Sequence, residues 1–297
     1  MPRDEALLLR SSLFVPAIRE RFIEKAPDAG ADMVCIDLED SVPLAEKARG
    51  REMARDSMPV MKRTGYLMAV RVNSLQSGLI EEDLDAVTIP DLQAIGLPKA
   101  DDPEIIKRVD HYLAILEKTR GIPIGQVQIF PWIETAQGLV NAHALCKASP
   151  RVTAASVGGE DLTSDMGMER TREGREIEYA RNLVATACIA AGVVPLDTVF
   201  ADFRDQEGFE ADTLHGKSLG FKGRYCIHPS QVPAVNRIYR PSEEEVENAR
   251  SVVEAYEEGT RQGLGAVNMG GVMVDKPVYD RAVSLLGRLR LIEGKGG

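Results

Sequence analysis

Eight short β-rich runs alternate with longer helical patterns along most of this chain, and this alternation constrains the fold more than any other feature. Strands that alternate with helices form a parallel sheet, and eight such units close into a (β/α)8 TIM barrel. An open doubly wound sheet is the alternative, but no glycine-rich dinucleotide fingerprint follows the first run. The predicted strands span residues 12–15, 33–38, 67–72, 94–97, 127–133, 153–157, 194–199 and 223–227.

The character of the sequence changes after the eighth predicted strand. Ser242 and Glu245 form a capping-box pattern, which predicts a helix that ends near Gly259. A Gly-rich link follows at residues 263–271, and Pro277 then predicts the start of a last helix that runs to residue 291. We expect a TIM-barrel catalytic domain over residues 1–240 and a C-terminal helical extension over residues 241–297. The extension is expected to act as a lid or to be exchanged with a neighbouring subunit.

Composition excludes several classes of partner. The 297 residues are 44% hydrophobic, which suffices for a large core, and the net charge of −10 argues against nucleic-acid and anionic-membrane partners. No apolar stretch approaches the roughly 20 residues of a membrane helix. The four cysteines are scattered without a CxxC motif, so we expect buried free thiols and a soluble, cytoplasmic protein.

Two predicted strands end at carboxylates, one βα unit apart. Glu134 follows the fifth strand and Asp161 follows the sixth. Active sites of these barrels lie at the C-terminal ends of the strands, and ligands that are all oxygen select Mg²⁺ or Mn²⁺ over zinc. The two carboxylates are therefore candidate metal ligands. The alternative is that each carboxylate only caps the helix that follows it.

A cationic residue ends the third predicted strand. The planar charge of Arg71 fits an enolate or carboxylate oxygen, and the alternative is an ion pair with Asp37 or Glu39. These two acids would orient Arg71 or order metal-bound water. Asp40 is interpreted as a structural cap before Val42.

Three further strand ends leave alternatives open. The N–H groups of Gly158 and Gly159 would bind a substrate carboxylate or would only form a tight turn. Lys99 would be a Schiff-base former, but the acidic pair favours a metal mechanism, and we assign Lys99 to structural ion pairing. His228 is assigned to a turn.

An ordered set of motifs runs along essentially the whole chain. The motifs are Ser12-Leu13-Phe14-Val15-Pro16, Ile36-Asp37-Leu38-Glu39-Asp40-Ser41-Val42-Pro43, Val70-Arg71-Val72-Asn73, Leu97-Pro98-Lys99, Ile133-Glu134-Thr135-Ala136, Gly158-Gly159-Glu160-Asp161-Leu162, Cys226-Ile227-His228-Pro229-Ser230-Gln231-Val232 and Gly271-Val272-Met273-Val274-Asp275-Lys276-Pro277. Together they resemble the citrate lyase β-subunit-like group of the HpcH/HpaI aldolase and citrate lyase family, which includes malyl-CoA and citramalyl-CoA lyases.

The resemblance implies roles for individual residues. It implies that Glu134 and Asp161 bind Mg²⁺, that Arg71 polarises the reacting carbonyl, and that Asp275 acts as acid/base across a subunit interface in a homotrimer or hexamer. The free-pyruvate aldolase branch uses an early histidine as base, whereas no histidine precedes His111 here. The expected partners are therefore an acyl-CoA and a 2-oxoacid.

The expected activity is a Mg²⁺-dependent cleavage of a carbon–carbon bond. A 3-hydroxyacyl-CoA such as malyl-CoA or citramalyl-CoA would give acetyl-CoA and a 2-oxoacid. The alternatives are a citryl-thioester lyase β subunit that acts on an acyl-carrier protein, and a non-catalytic protein that binds CoA esters. Candidate CoA-phosphate ligands, each of which is otherwise a residue of a solvated helix face, are Arg10, Arg19, Lys25 and Lys47.

Overall fold

The computed structural model describes residues 7–62 and 66–294. Residues 1–6, 63–65 and 295–297, which include the outer ends of both predicted domains, lie outside the described residues. The chain divides into two compact units. Within the described residues, one unit is Leu9–Arg237, and the other comprises residues 238–294 together with Leu7 and Leu8.

The first unit is a closed barrel of eight parallel strands in sequential order, in which the first strand pairs with the eighth. The TIM barrel predicted from the sequence is therefore confirmed, and every strand boundary lies within two residues of its prediction. The strands are β1 (Ser11–Pro16), β2 (Met33–Asp37), β3 (Leu67–Arg71), β4 (Ala94–Leu97), β5 (Gln128–Ile133), β6 (Ala154–Val157), β7 (Val194–Asp197) and β8 (Gly223–Cys226).

Helices connect the strands and surround the barrel. The α-helices of this unit are α1 (Glu20–Lys25), α2 (Lys47–Lys62), α3 (Ile80–Val87), α4 (Pro103–Thr119), α5 (Ala136–Val140), α6 (Ala142–Lys147), α7 (Gly159–Asp165), α8 (Glu178–Ala191), α9 (Gln206–Ser218) and α10 (Val232–Ile238). Short 3₁₀ turns occupy Ala26–Ala29, Leu44–Glu46, Leu75–Ser77, Arg175–Ile177 and Pro229–Gln231.

Local sequence explains where these elements begin and end. Every residue of β2, β4, β6, β7 and β8 is buried, as expected for parallel strands whose two faces are both covered. Asp102 caps α4 by accepting a hydrogen bond from the Glu104 N–H at 2.9 Å, with Pro103 at the first helical position. Helix α8 ends at Gly192, whose φ of 70° is the left-handed conformation that glycine adopts without strain.

A buried ionic network joins the end of β7 to the start of β8. Arg181 donates to both carboxylate oxygens of Asp197, at 3.0 and 2.5 Å, and both side chains are almost fully buried. Arg181 and Arg224 each also pair with Asp212. Arg224 then donates to the backbone carbonyl of Thr198 at 3.1 and 2.9 Å. The network therefore fixes the segment that follows β7.

The C-terminal unit contains two helices and a hairpin, namely α11 (Glu243–Arg261), β9 (Val267–Met269), β10 (Val272–Val274) and α12 (Lys276–Gly294). The capping box of Ser242 and Glu245 is present. Helix α11 ends at Arg261, two residues beyond the predicted stop at Gly259. Gly259 instead allows Val267 to pack against the helix, because a Cβ at this position would lie 2.1 Å from Val267 Cγ1.

The Gly-rich link of the C-terminal unit is an ordered antiparallel hairpin. Val272 pairs with Met269, so the turn consists of Gly270 and Gly271. Their φ values of 60° and 92° suit a two-residue hairpin turn. Behind the hairpin, Ala249, Val252, Val274 and Ala282 form the core that joins α11 to α12.

The four cysteines are free and buried, as expected from their scattered positions. None of the helices within residues 7–62 and 66–294 combines the length and apolar character needed to cross a membrane.

We predict that Asp197→Asn lowers the free energy of unfolding by about 3–5 kcal/mol, because it leaves the buried Arg181 guanidinium without its principal counter-charge. Urea denaturation at fixed pH measures the change. Glu104→Gln, which removes an exposed pair with Lys107, is the control and should cost at most about 0.5 kcal/mol. A loss below about 1 kcal/mol for Asp197→Asn would contradict the structural role of the network.

Candidate active site

The C-terminal ends of the barrel strands surround a cavity of about 420 Å³. Its lining comes from residues in or just after every barrel strand except β4. Of the residues singled out from the sequence, the structure brings Asp37, Arg71, Glu134, Gly158, Gly159 and Asp161 together in this lining. Glu39 is not part of the lining but contacts Arg71.

Arg71 is held by a bidentate ion pair. The parallel register sets Asp37, at the end of β2, directly beside Arg71, at the end of β3. Arg71 Nε donates to Asp37 Oδ1 at 2.6 Å and Nη2 donates to Oδ2 at 2.8 Å. Burial by itself raises the pKa of Asp37, but the hydrogen bonds and the charge of Arg71 outweigh burial and lower this pKa. The ion pair that the sequence left as an alternative is therefore present.

Two aromatic rings pack against the same guanidinium, and a third stacks behind them. Arg71 Cζ lies 5.1 Å from the ring centroids of both Phe14 and Trp132, within the range of a cation–π contact. Tyr225 stacks on Phe14 with centroids 4.8 Å apart. Arg71 thus has its charge paired on one side and its apolar surface covered on the other. Only 11% of its side chain is exposed.

Glu39 is a buried carboxyl behind the guanidinium. Its Oε2 lies 2.9 Å from Arg71 Nη1, and its Oε1 lies 3.9 Å from Lys99 Nζ. Burial raises the pKa of Glu39 to about 7, against the lowering effect of Arg71.

The cap assigned to Asp40 belongs instead to Asp37. Asp37 accepts from the N–H groups of Glu39 and Ser41, at 2.9 and 3.1 Å, and so closes the turn after β2. The Asp40 side chain is 61% exposed and lies 3.4 Å from Arg71. The sequence assignment of Asp40 as a cap is therefore wrong.

Glu134 is a buried carboxyl at the end of β5. Its residue surface is 1% exposed, and its Oε1 accepts from the backbone N–H of Lys99 at 2.7 Å. Burial and then the charge of Asp161 raise the pKa of Glu134 to about 8. Glu134 does not cap the next helix, because Thr135 does so by accepting from the Gly138 N–H.

Asp161 lies in the first turn of α7, and its side chain is one-third exposed. Its Oδ1 is 3.4 Å from Lys99 Nζ. The N-cap position of α7 is Gly158, and no side chain caps this helix. The sequence left metal binding and helix capping open as roles for Asp161, and the structure shows no capping by this side chain.

Among the described residues no group of three or more His, Cys, Asp or Glu side chains is arranged to hold a metal ion.

Gly158 and Gly159 allow neighbouring side chains to pack closely against the backbone. The N–H of Gly158 donates to the Ile133 carbonyl at 3.1 Å, and that of Gly159 donates to Thr198 Oγ1 at 3.0 Å. A substrate carboxylate would have to displace these acceptors. A Cβ at position 158 would lie 2.2 Å from Glu134 Oε2, so only glycine allows Glu134 its place.

Sequence reasoning gave no site role to several lining residues, among them Phe14, Trp132, Thr198 and Tyr225. The signal for Trp132 was available. Successive side chains of a strand alternate between its two faces, so Trp132 points to the same side as Glu134. Thr198 has no such signal, because its position depends on the Arg224 network beneath it.

Two of the proposed CoA-phosphate ligands are engaged elsewhere. Arg10 is buried in an ion pair with Asp32 at 2.9 Å, so its assignment is wrong. Lys47 Nζ donates to two carbonyls after β2 and to Asn73 Oδ1, all within 2.8 Å, so its assignment is also wrong. Arg19 and Lys25 are exposed.

Two residues from the later motifs act at turns in the structure. His228 Nδ1 accepts from the Ser230 N–H at 3.2 Å and caps the turn after β8, as expected. Asp275 belongs to the C-terminal unit, where its carboxylate accepts from the Val278 N–H at 3.2 Å in the first turn of α12.

Comparison with known proteins decides the family. The sequence profile of HpcH/HpaI aldolase/citrate lyase matches residues 10–229. The chain belongs to this family. It is 35% identical to the citrate lyase subunit beta of Leuconostoc mesenteroides, and the match covers 97% of each chain. It is 32% identical to the human mitochondrial citramalyl-CoA lyase, over 92% of this chain and 83% of the relative.

A solved structure supports the family assignment. CitE from Mycobacterium tuberculosis in complex with magnesium, acetoacetate and coenzyme A superposes with a TM-score of 0.78 at 33% identity, and covers 96% of this chain and 99% of that one. The family resemblance of the ordered motifs is therefore confirmed. The roles of individual residues stay predictions.

We predict that Glu134→Gln stabilises the metal-free protein at alkaline pH. The pKa of this carboxyl rises from its usual 4.5 to about 8 on folding, so its contribution to stability is lost as pH rises from about 4.5 to 8. The amide does not ionise, and the variant should gain roughly 2–4 kcal/mol at pH 9 and nothing near pH 4.5. Thermal unfolding of metal-free samples across this range measures the difference. A constant difference at all pH values would contradict the raised pKa.

Proposed function

We propose that this protein is a Mg²⁺-dependent acyl-CoA lyase. It cleaves a 3-hydroxyacyl-CoA that carries a carboxylate next to the hydroxyl, such as malyl-CoA or citramalyl-CoA, into acetyl-CoA and a 2-oxoacid. The observation that carries the proposal is one cavity in which the Arg71 guanidinium, fixed by Asp37, faces the carboxylates of Glu134 and Asp161. Family relatives support it, since one is named citramalyl-CoA lyase and another binds magnesium with coenzyme A.

Glu134 and Asp161 would hold the Mg²⁺ ion. The fit rests on their chemistry, because both offer oxygen atoms and the lining contains no histidine or cysteine. Burial and the charge of Asp161 raise the pKa of Glu134, so a bound cation would stabilise the ionised form of this carboxyl. Two carboxylates leave room for substrate oxygens. When bound, the ion supplies Lewis-acid polarisation of the substrate hydroxyl and carboxylate.

Arg71 stabilises the charge that forms when the carbon–carbon bond breaks. The substrate hydroxyl loses its proton, its oxygen becomes the carbonyl of the departing 2-oxoacid, and the bonding electron pair passes to the thioester as an enolate. The fixed guanidinium faces this enolate oxygen and needs no reorganisation during the step. Asp37 and Glu39 position Arg71 through their ion pairs with it, and the hydroxyl proton passes to solvent in the cavity.

Asp275 completes the cycle. Its carboxyl group, supplied by a neighbouring copy of the chain in a homotrimer or hexamer, protonates the enolate carbon to give acetyl-CoA. In the condensing direction the carboxylate removes that proton. The assignment rests on the place of Asp275 in the family's tail motif and on its position in a separate C-terminal unit.

We further propose a cytoplasmic location, which the four free, buried thiols support.

One observation favours a second candidate. The citrate lyase subunit beta of Leuconostoc mesenteroides shares 35% identity with this chain, so a subunit that acts on a citryl thioester of an acyl-carrier protein is the alternative. The purified chain alone should cleave free acyl-CoA if the main proposal holds, whereas the alternative requires the carrier protein.

The direct test is to incubate the purified protein with malyl-CoA or citramalyl-CoA and Mg²⁺, and to measure the released 2-oxoacid with and without EDTA. We expect cleavage that EDTA abolishes and that added Mg²⁺ restores. Absence of cleavage with both substrates, followed by activity once a citryl-carrier protein is supplied, would favour the alternative.

We predict that Asp275→Asn lowers kcat for cleavage by at least about 100-fold and leaves metal affinity unchanged, since its carboxyl transfers a proton and does not bind the ion. Steady-state kinetics and a Mn²⁺ titration measure the two quantities. Near-normal turnover would remove Asp275 from the mechanism.

Mixed oligomers test whether Asp275 crosses a subunit interface. Co-expression of Asp275→Asn with Glu134→Gln, each inactive alone, should restore about a quarter of wild-type activity, because random assembly pairs an intact barrel with an intact tail at that frequency. Mixing the separately assembled variants without subunit exchange is the control. Failure of co-expressed heteromers to regain activity would show that Asp275 acts within its own subunit or not at all.

A further inference from the structure

Lys99 has an unusual backbone conformation beside the predicted metal site. It follows β4 and has a φ of 50°, and it is the only non-glycine residue with positive φ in the described part of the chain. This left-handed conformation is unfavourable for a side chain other than glycine, asparagine or aspartate, and persists only where surrounding contacts enforce it.

The conformation lets one residue contact both predicted metal ligands. The Lys99 N–H donates to Glu134 Oε1 at 2.7 Å, and its ammonium lies 3.4 Å from Asp161 Oδ1. The same ammonium lies 3.9 Å from Glu39 Oε1. Backbone and side chain of Lys99 therefore face three carboxylates.

Lys99 supplies the positive charge that pairs with Asp161. Arg71 is the only basic residue among those that line the described cavity, and its guanidinium is already engaged by Asp37 and Glu39. Asp161 has its ion pair with Lys99. A lysine ammonium is a full cation at neutral pH.

We propose that Lys99 is a tethered counter-cation that competes with the divalent ion for Asp161 and thereby sets the metal affinity of the site. This inference rests on the proposed function, in which Glu134 and Asp161 are the metal ligands. In the metal-free protein the ammonium offsets repulsion among the carboxylates. An arriving ion must displace it from Asp161 or bind beside a like charge, and both weaken metal binding.

The test is a Mn²⁺ titration of metal-free protein, with free Mn²⁺ followed by electron paramagnetic resonance. Lys99→Met keeps the length of the side chain and the backbone bond to Glu134 but removes the charge. We expect it to bind Mn²⁺ about tenfold more tightly than wild type, the size expected of one unit charge at this distance in a partly solvated site. Lys99→Arg, which keeps the charge, should stay within about threefold of wild type.

A matched surface variant and a second readout separate this role from a structural one. Lys107→Met removes a lysine whose ammonium pairs with Glu104 on the exposed face of α4, and it should leave the dissociation constant unchanged. Without metal, Lys99→Met should unfold at a lower temperature than wild type, and saturating Mn²⁺ should raise its unfolding temperature by more than it raises that of wild type.

The outcomes separate this inference from the proposed function. Unchanged or weaker Mn²⁺ binding by Lys99→Met, with stoichiometric binding by wild type, would overturn the role of Lys99 alone. Absence of stoichiometric Mn²⁺ binding by wild type would overturn the metal site and this inference with it.

Discussion

The ion pair between Asp37 and Arg71 is the interaction on which the candidate site depends. Parallel register between β2 and β3 sets the two residues side by side, and two short hydrogen bonds fix the guanidinium plane. Phe14 and Trp132 cover its apolar faces, so a single orientation of the charge remains. A cation fixed in this way stabilises an enolate without reorganisation, which is the main physical requirement of a retro-Claisen cleavage.

The carboxylates around this ion pair make the site favourable for a divalent cation. Glu134 is buried against Gly158 in a place that no larger residue at 158 would permit, and its pKa of about 8 reflects the cost of its charge. Asp161 adds a second carboxylate, and the strained Lys99 touches both. Binding of a divalent cation would relieve this repulsion, so the same feature that destabilises the metal-free site favours the loaded one.

Sequence reasoning recovered the barrel because every strand is a short buried run bounded by helical patterns, and recovered Arg71, Glu134 and Asp161 as neighbours because parallel strands present their C-terminal ends at one rim. It named Asp37 and Glu39 as possible ion-pair partners of Arg71, but it assigned the cap of the turn after β2 to the wrong carboxyl. Asp37 rather than Asp40 closes this turn by accepting from the Glu39 and Ser41 N–H groups, and cross-strand register, which is not local in sequence, pairs the same carboxyl with Arg71. Arg10 precedes β1, so its position at the opposite end of the strand was available from the sequence.

A double-mutant cycle on Asp37 and Arg71 tests the central claim most directly. The measurement is kcat for Mg²⁺-dependent cleavage of citramalyl-CoA by Asp37→Asn, Arg71→Lys and the double variant. The account predicts that each single change costs about 10²–10³-fold and that the double variant is little worse than the poorer single one, because both changes remove the same oriented charge. Losses that multiply in the double variant would contradict it, since they would show that Arg71 acts independently of Asp37.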